Sequence, residues 1–109
     1  AYPALHWLLD MTQEEFGATY FGTPVPRTKR RGLARNAAVA LGNIGTEEDI
    51  PILARTLAAH DEPIVRGHAA WALGNIGGRS ARNALDRIRG SQSNAMVLEE
   101  ITQALESSR

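Results

Sequence analysis

Between residues 27 and 35 the chain places Arg27, Lys29, Arg30, Arg31 and Arg35, with no acid among them. A block of this kind suits phosphate. The guanidinium is a planar fork that grips two phosphate oxygens at once and also stacks on bases, and such contacts position a nucleic acid without reading its sequence. Arg55, Arg66, Arg87 and Arg89 follow at wider spacing, with Arg55 and Arg87 separated by 32 residues. The competing reading is a solvated face, or pairing of Arg30 and Arg31 with Asp61 and Glu62.

Other chemistry has little to work with. Cysteine is absent, which excludes disulfides, a thiolate metal site, an iron–sulfur cluster and a cysteine nucleophile within these residues. His6, His60 and His68 lack metal-ligand spacing and are expected at surface or edge positions. No serine has a supporting His/Asp arrangement, and no glycine run follows a strand to cradle a nucleotide. Trp7, Phe16, Tyr20 and Trp71 are expected in the core rather than as stacking platforms. The formal net charge is +0, yet residues 27–35 alone carry +5. No apolar run reaches the roughly 18 residues of a membrane span, and the opening AYPALHWLLDM lacks secretory-signal features. A cytoplasmic protein with no membrane partner is expected, and the start without methionine suggests a piece of a longer chain.

The elements that must position these cations are set by a repeat. ALGNIG occurs at 40–45 and again at 72–77, and a 32-residue period signals stacked supersecondary units. Units 33–64 and 65–96 and a half-unit 97–109 follow from that shift. Within the first, Leu33, Ala37, Ala40, Leu41 and Ile44 fall at helical spacing, Gly45 breaks the helix, Thr46 and Asp49 form a capping box, and Ile50, Leu53 and Leu57 begin again. Each unit is therefore a helical hairpin, and the predicted fold is all-α, a short α-solenoid.

Gly42 and Gly74 should leave room for a neighbouring helix, Gly45 and Gly77 should adopt the left-handed conformation, and Asn43 and Asn75 should cap carbonyls. Pro51 requires the second helix to start near Asp49 or to bend. Residues 1–32 read as a helical lead-in, with helices over 3–11 and from the Thr12 capping box to about residue 20. A proline-rich basic loop, FGTPVPRTKRRG, ends this N-terminal cap. Starts of first helices and ends of second helices share one edge of such a stack, so all nine cations named above are predicted to line it.

Ile64-Val65-Arg66 followed by Ala69, Ala70, Ala72-Leu73-Gly74 and Ile76-Gly77 resembles HEAT-like repeats. GTPVPRTKRRGLARNAAVALGN, residues 22–43, resembles the C-terminal region of epoxyqueuosine reductases through Gly22, Thr23, Pro24, Arg27, Lys29, Arg30, Arg31, Gly32, Arg35, Asn36 and Ala40 to Asn43. LLDMTQEEFGATYFGT is similar to that family's lead-in. Pro26 departs from the pattern where a basic residue is expected, so no phosphate contact carries over there.

The resemblance implies a parent enzyme that reduces epoxyqueuosine to queuosine at the tRNA wobble position with two [4Fe-4S] clusters and cobalamin. The present residues would be a tRNA-binding tail, catalytically inert alone, partnered by the anticodon stem-loop and by catalytic domains upstream in the same chain. The alternative is a HEAT-like protein-interaction scaffold. Neutralising about five phosphates predicts a log–log salt slope near −3.5. Replacing Arg30 and Arg31 together by Glu is predicted to weaken tRNA binding without affecting helicity or melting.

Overall fold

The computed structural model describes residues 2–20 and 25–107, so Gly22, Thr23 and Pro24 of the resemblance lie outside the described residues, as does the side chain of Tyr20. The described residues form helices and turns with no strand, in agreement with the all-α expectation. Helices α1 (Pro3–Asp10) and α2 (Gln13–Tyr20) lead in. Between them, the Glu15 N–H donates to Thr12 Oγ1 at 3.1 Å and the Thr12 N–H to Glu15 Oε1 at 2.8 Å, a reciprocal capping box.

The first unit joins α3 (Arg27–Ile44) to α4 (Ile50–Ala59) through a single 3-10 turn at Glu47–Asp49, and α4 packs mainly on the following helix, Pro63–Ile76. That turn is the second capping box: Glu48 N–H donates to Thr46 Oγ1 at 3.4 Å, and Thr46 N–H to Asp49 Oδ2 at 2.9 Å. Pro51 falls in the first turn of α4, where its missing N–H has no helical partner to lose. The second hairpin is α5 (Pro63–Ile76) with α6 (Gly78–Arg89), and α7 (Ala95–Ser107) stands alone as the half-unit.

Helices α3, α5 and α7 lie side by side as one layer, α4 and α6 form the second, and α1 covers α3 and α4. The shared core runs through Leu41, Leu53, Leu57, Val65, Leu73, Leu85, Val97 and Ile101, each no more than 1% exposed. Small residues let the first layer approach closely. A methyl built on Gly42 would meet the Trp71 ring at 2.4 Å, and one on Gly74 would lie 2.9 Å from the Ala104 Cβ and 3.0 Å from its Cα. The two glycines of the repeated hexapeptide thus serve one purpose with different neighbours. Trp71, where the preceding unit has Val39, fills the space over Gly42.

Three sequence expectations need correction. The segment RTKRRG is helix, not loop: α3 opens at Arg27, immediately after Pro26, and position 33 lies inside it. Lys and Arg are good helix formers, and the cost of cations at a positive helix end is offset by tertiary partners described below. Gly45 is extended at φ −73°, while the left-handed glycines are Gly77 at φ 71° and Gly78 at φ 88°. Gly45 is required for space, since a Cβ there would sit 2.3 Å from the Leu41 carbonyl oxygen. Asn43 and Asn75 are exposed. The helix-ending carbonyls are bonded by backbone instead, from Gly45 N–H to Leu41 at 2.8 Å and from Gly77 N–H to Leu73 at 2.9 Å.

Candidate nucleic-acid interface

Adjacent residues at the start of α3 point in different directions, because each step along a helix turns by about 100°. Arg27, Arg31 and Arg35 recur at four-residue intervals and form an outward stripe, with Lys29 also exposed; Arg31 is half-exposed, 3.6 Å from Glu62. Arg35 reaches the neighbouring Asn36 Oδ1 at 3.3 Å. No acid occurs anywhere on α3, so the stripe adds to the partial positive charge of the helix N-terminus.

Arg30 turns the other way and is 4% exposed. Its Nε donates to the Met11 carbonyl at 3.0 Å, its two Nη atoms to the Asp61 carboxylate at 3.2 and 2.9 Å, and Nη2 also lies 3.2 Å from His60 Nε2. One guanidinium therefore ties the start of the repeat layer to the end of α1 and to the turn between α4 and α5. The double replacement of Arg30 and Arg31 by Glu would put a carboxylate against Asp61 in a buried site. It is therefore expected to lower stability as well as binding, whereas the sequence alone predicts unchanged melting.

His60, expected at a surface or edge position, sits at the end of α4 and is buried there. Burial, and then the neighbouring Arg30 charge, hold its imidazole below the ordinary histidine range. Arg30 likewise holds the Asp61 carboxyl below its ordinary value, chiefly by hydrogen bonding. For Asp49, burial pushes upward, but the Thr46 N–H and His6, whose Nε2 is 2.6 Å away, outweigh it and the net shift is downward.

All three shifts have the same sign of consequence. In each case the unfolded chain takes up a proton before the folded chain does, so stability is full at neutral pH and falls on acidification. A first decline is expected below about pH 6.5 from His60 and a second below about pH 3.9 from Asp49 and Asp61. Urea midpoints measured from about pH 8 to about pH 3 should show both, and His60→Gln should remove the first.

The remaining cations lie beyond α3, and Arg55 lines one cavity with Arg30, His60 and Asp61. Arg66 donates from Nη1 to the His60 carbonyl at 2.7 Å, which keeps it at the edge of Arg30 and Arg31. Arg55 pairs with Asp10 of α1 at 2.8 Å, and it shares with Arg87 a shallow groove between α4 and α6, floored by Ala54, Ala58 and Ala84. Arg89 is exposed and 3.4 Å from Asp86. Of the nine residues named from sequence, Arg27, Lys29, Arg31, Arg35 and Arg66 lie around α3, Arg55 and Arg87 line a second groove, Arg89 is exposed at the end of α6, and Arg30 is a buried anchor. Asp10 carried no sequence signal as a partner, since α1 lies outside the repeat. Of the aromatics, Phe16 is fully buried, Trp71 half-buried, and Trp7 38% exposed.

A family model described as HEAT repeats matches residues 27–106. The epoxyqueuosine reductase of Bacillus cereus is 32% identical over 95% of this chain and 27% of its own length; that of Listeria monocytogenes is 30% identical over 92% and 26%. This chain therefore spans about a quarter of the length of those relatives. A crystal structure of epoxyqueuosine reductase with an epoxyqueuosine-modified tRNA-Tyr stem loop matches with a TM-score of 0.81 and 25% identity, covering 94% of this chain and 28% of the other.

Proposed function

The chain belongs to the HEAT repeats family, whose stacked helix pairs act by presenting surface, and from that premise we propose that it is the C-terminal tRNA-binding domain of an epoxyqueuosine reductase-like enzyme. The observation that carries this reading is the outward face of α3, where Arg27, Arg31 and Arg35 form a stripe on a helix without acids, with Lys29 exposed in the same first turn. The likeness to epoxyqueuosine reductases, one of them crystallised with a modified tRNA stem loop, supports the same assignment.

In this reading the α3 stripe holds anticodon-stem phosphates, Arg66 supports that edge, and Arg55, Arg87 and Arg89 extend contact along the neighbouring face. Arg30 holds the turn that presents the stripe and is not itself a phosphate ligand. The parent enzyme, cytoplasmic like its tRNA substrate, would reduce epoxyqueuosine to queuosine at the wobble position with two [4Fe-4S] clusters and cobalamin. The residues present here do not fit those groups. The chain has no cysteine, and the described residues include no group of three or more His, Cys, Asp or Glu able to hold a metal. The reduction is therefore assigned to other domains of the parent, against which this one would pack. Among the described residues, no helix is long and apolar enough to cross a membrane.

The test is a charge reversal that spares the anchor. Changing Arg27, Arg31 and Arg35 together to Glu is expected to weaken binding of a tRNA anticodon stem-loop by about 100-fold at low salt, and to flatten a log–log salt slope of about −2.8 by roughly 0.7 per lost phosphate contact. Melting should fall only slightly, since Arg27 and Arg35 are exposed and only Arg31, half-exposed and 3.6 Å from the mostly buried Glu62, has an acidic neighbour. Salt-independent capture of a protein partner, with no RNA binding, would favour the scaffold reading instead.

A further inference from the structure

The layer of first helices carries a cleft that the phosphate-binding reading leaves unused. It has a volume of about 410 Å³ and lies over α5, between α3 and α7, lined by Val39, Ile64, Gly67, Trp71, Met96, His68 and Glu100. This is within the range of small-ligand pockets. Its depth comes from Gly67: a methyl built there meets nothing nearer than Glu100 Cγ at 3.5 Å, so the missing side chain opens the cleft and is not demanded by helix packing. Ile64 and Met96 stand at its rim, 37% and 46% exposed, and the half-buried Trp71 lies deeper, braced at one edge over Gly42.

Two polar groups converge on this apolar cleft, and both accept. The His68 Nδ1–H donates to the Ile64 carbonyl at 2.8 Å, which fixes the tautomer and leaves Nε2 as an acceptor. Glu100 has no ion pair or hydrogen bond to another described residue, and its carboxylate offers two acceptor oxygens at the wall. An aromatic plane beside a carboxylate suits a flat ring with two adjacent N–H donors on one edge. Among the nucleobases, guanine alone presents that pair, at N1–H and N2–H. Adenine and cytosine place a ring acceptor next to the amine, and uracil flanks its one donor with carbonyls. Arg35 stands one helical turn before Val39, so a base entering the cleft would bring its phosphate to the basic stripe.

We propose that this cleft is a pocket for an unpaired guanine base, stacked on Trp71 and held through its N1–H and N2–H edge by Glu100, in an RNA whose backbone lies on the α3 stripe. The site deepens the RNA-binding reading and rests on it for the phosphate contacts, while the base contacts stand on the cleft alone.

Two RNA hairpins that differ in a single loop position, guanine or abasic, separate the two. The guanine hairpin is expected to bind about 10-fold more tightly, and the gap should close with Glu100→Gln and narrow when inosine, which lacks the 2-amino group, replaces guanine. Free guanosine monophosphate should shift the Trp71 indole and Gly67 amide resonances, and adenosine monophosphate should not. Equal, salt-dependent binding of both hairpins, with no response to the nucleotide, overturns the guanine pocket and leaves the basic edge standing. A nucleotide response without hairpin binding supports the pocket and removes the RNA-backbone reading. Displacement of the cleft resonances by an apolar peptide but by neither nucleotide overturns the pocket in favour of protein docking.

Discussion

Arg30→Ala is expected to lower the stability of the chain by about 2–4 kcal/mol, more than any other change among the basic residues. The size follows from what the guanidinium does. It is 4% exposed and bonds a backbone carbonyl on one side and a carboxylate on the other, and charged hydrogen bonds of this kind contribute roughly 1.5–3 kcal/mol each before neighbouring losses are counted. The effect stays below that of a fully buried ion pair because Asp61 is 52% exposed and recovers water when its partner goes. The urea midpoint should fall while the dependence of binding on salt, measured where the variant is still folded, keeps its slope. A lost slope with unchanged stability would make Arg30 a phosphate ligand after all.

Gly74→Ala is expected to destabilise by about 2–3 kcal/mol, and Gly67→Ala, two turns earlier on the same helix, to stabilise by up to about 1 kcal/mol. Alanine is the better helix former at both positions, so propensity alone predicts two gains. Surroundings decide otherwise. At position 74 the new methyl would lie 3.0 Å from the Ala104 Cα, an atom of the neighbouring backbone that cannot move aside without separating α5 from α7. At position 67 the nearest atom is the flexible Glu100 side chain at 3.5 Å. Paired thermal melts test this contrast, and equal shifts for the two variants would sink it.

Much of the architecture was legible because packing forces a repeat on the sequence. Leu41 and Leu73 must fill equivalent holes, and Gly42 and Gly74 must admit equivalent approaches, so the 32-residue ruler shows in the letters themselves. What the letters could not show is direction at the start of α3. Arg30 and Arg31 are chemically alike and adjacent, and only the docking of α1 decides which is drawn inward. Its partners lie 19 and 31 residues away, at Met11 and Asp61, and no local pattern encodes them. Proline and dense charge suggested a loop, whereas tertiary anchoring permits a helix. The exposed stripe could be read from four-residue spacing, but the guanine cleft could not. Ile64 and Met96 occupy equivalent repeat positions that look like core, and the empty space between them depends on Gly67 and on where α7 settles.

The central place of α5 also bears on cooperativity. Both stacking contacts of the first layer, α3 with α5 and α5 with α7, run through this one helix, which also packs on α4 and α6. In a long solenoid each interface can open while its neighbours hold, and unfolding spreads from the ends. Here the two interfaces share a member, so losing either strips the helix on which the other depends. The modular-looking sequence thus encodes an array whose helices depend on one another, and a single melting transition is expected.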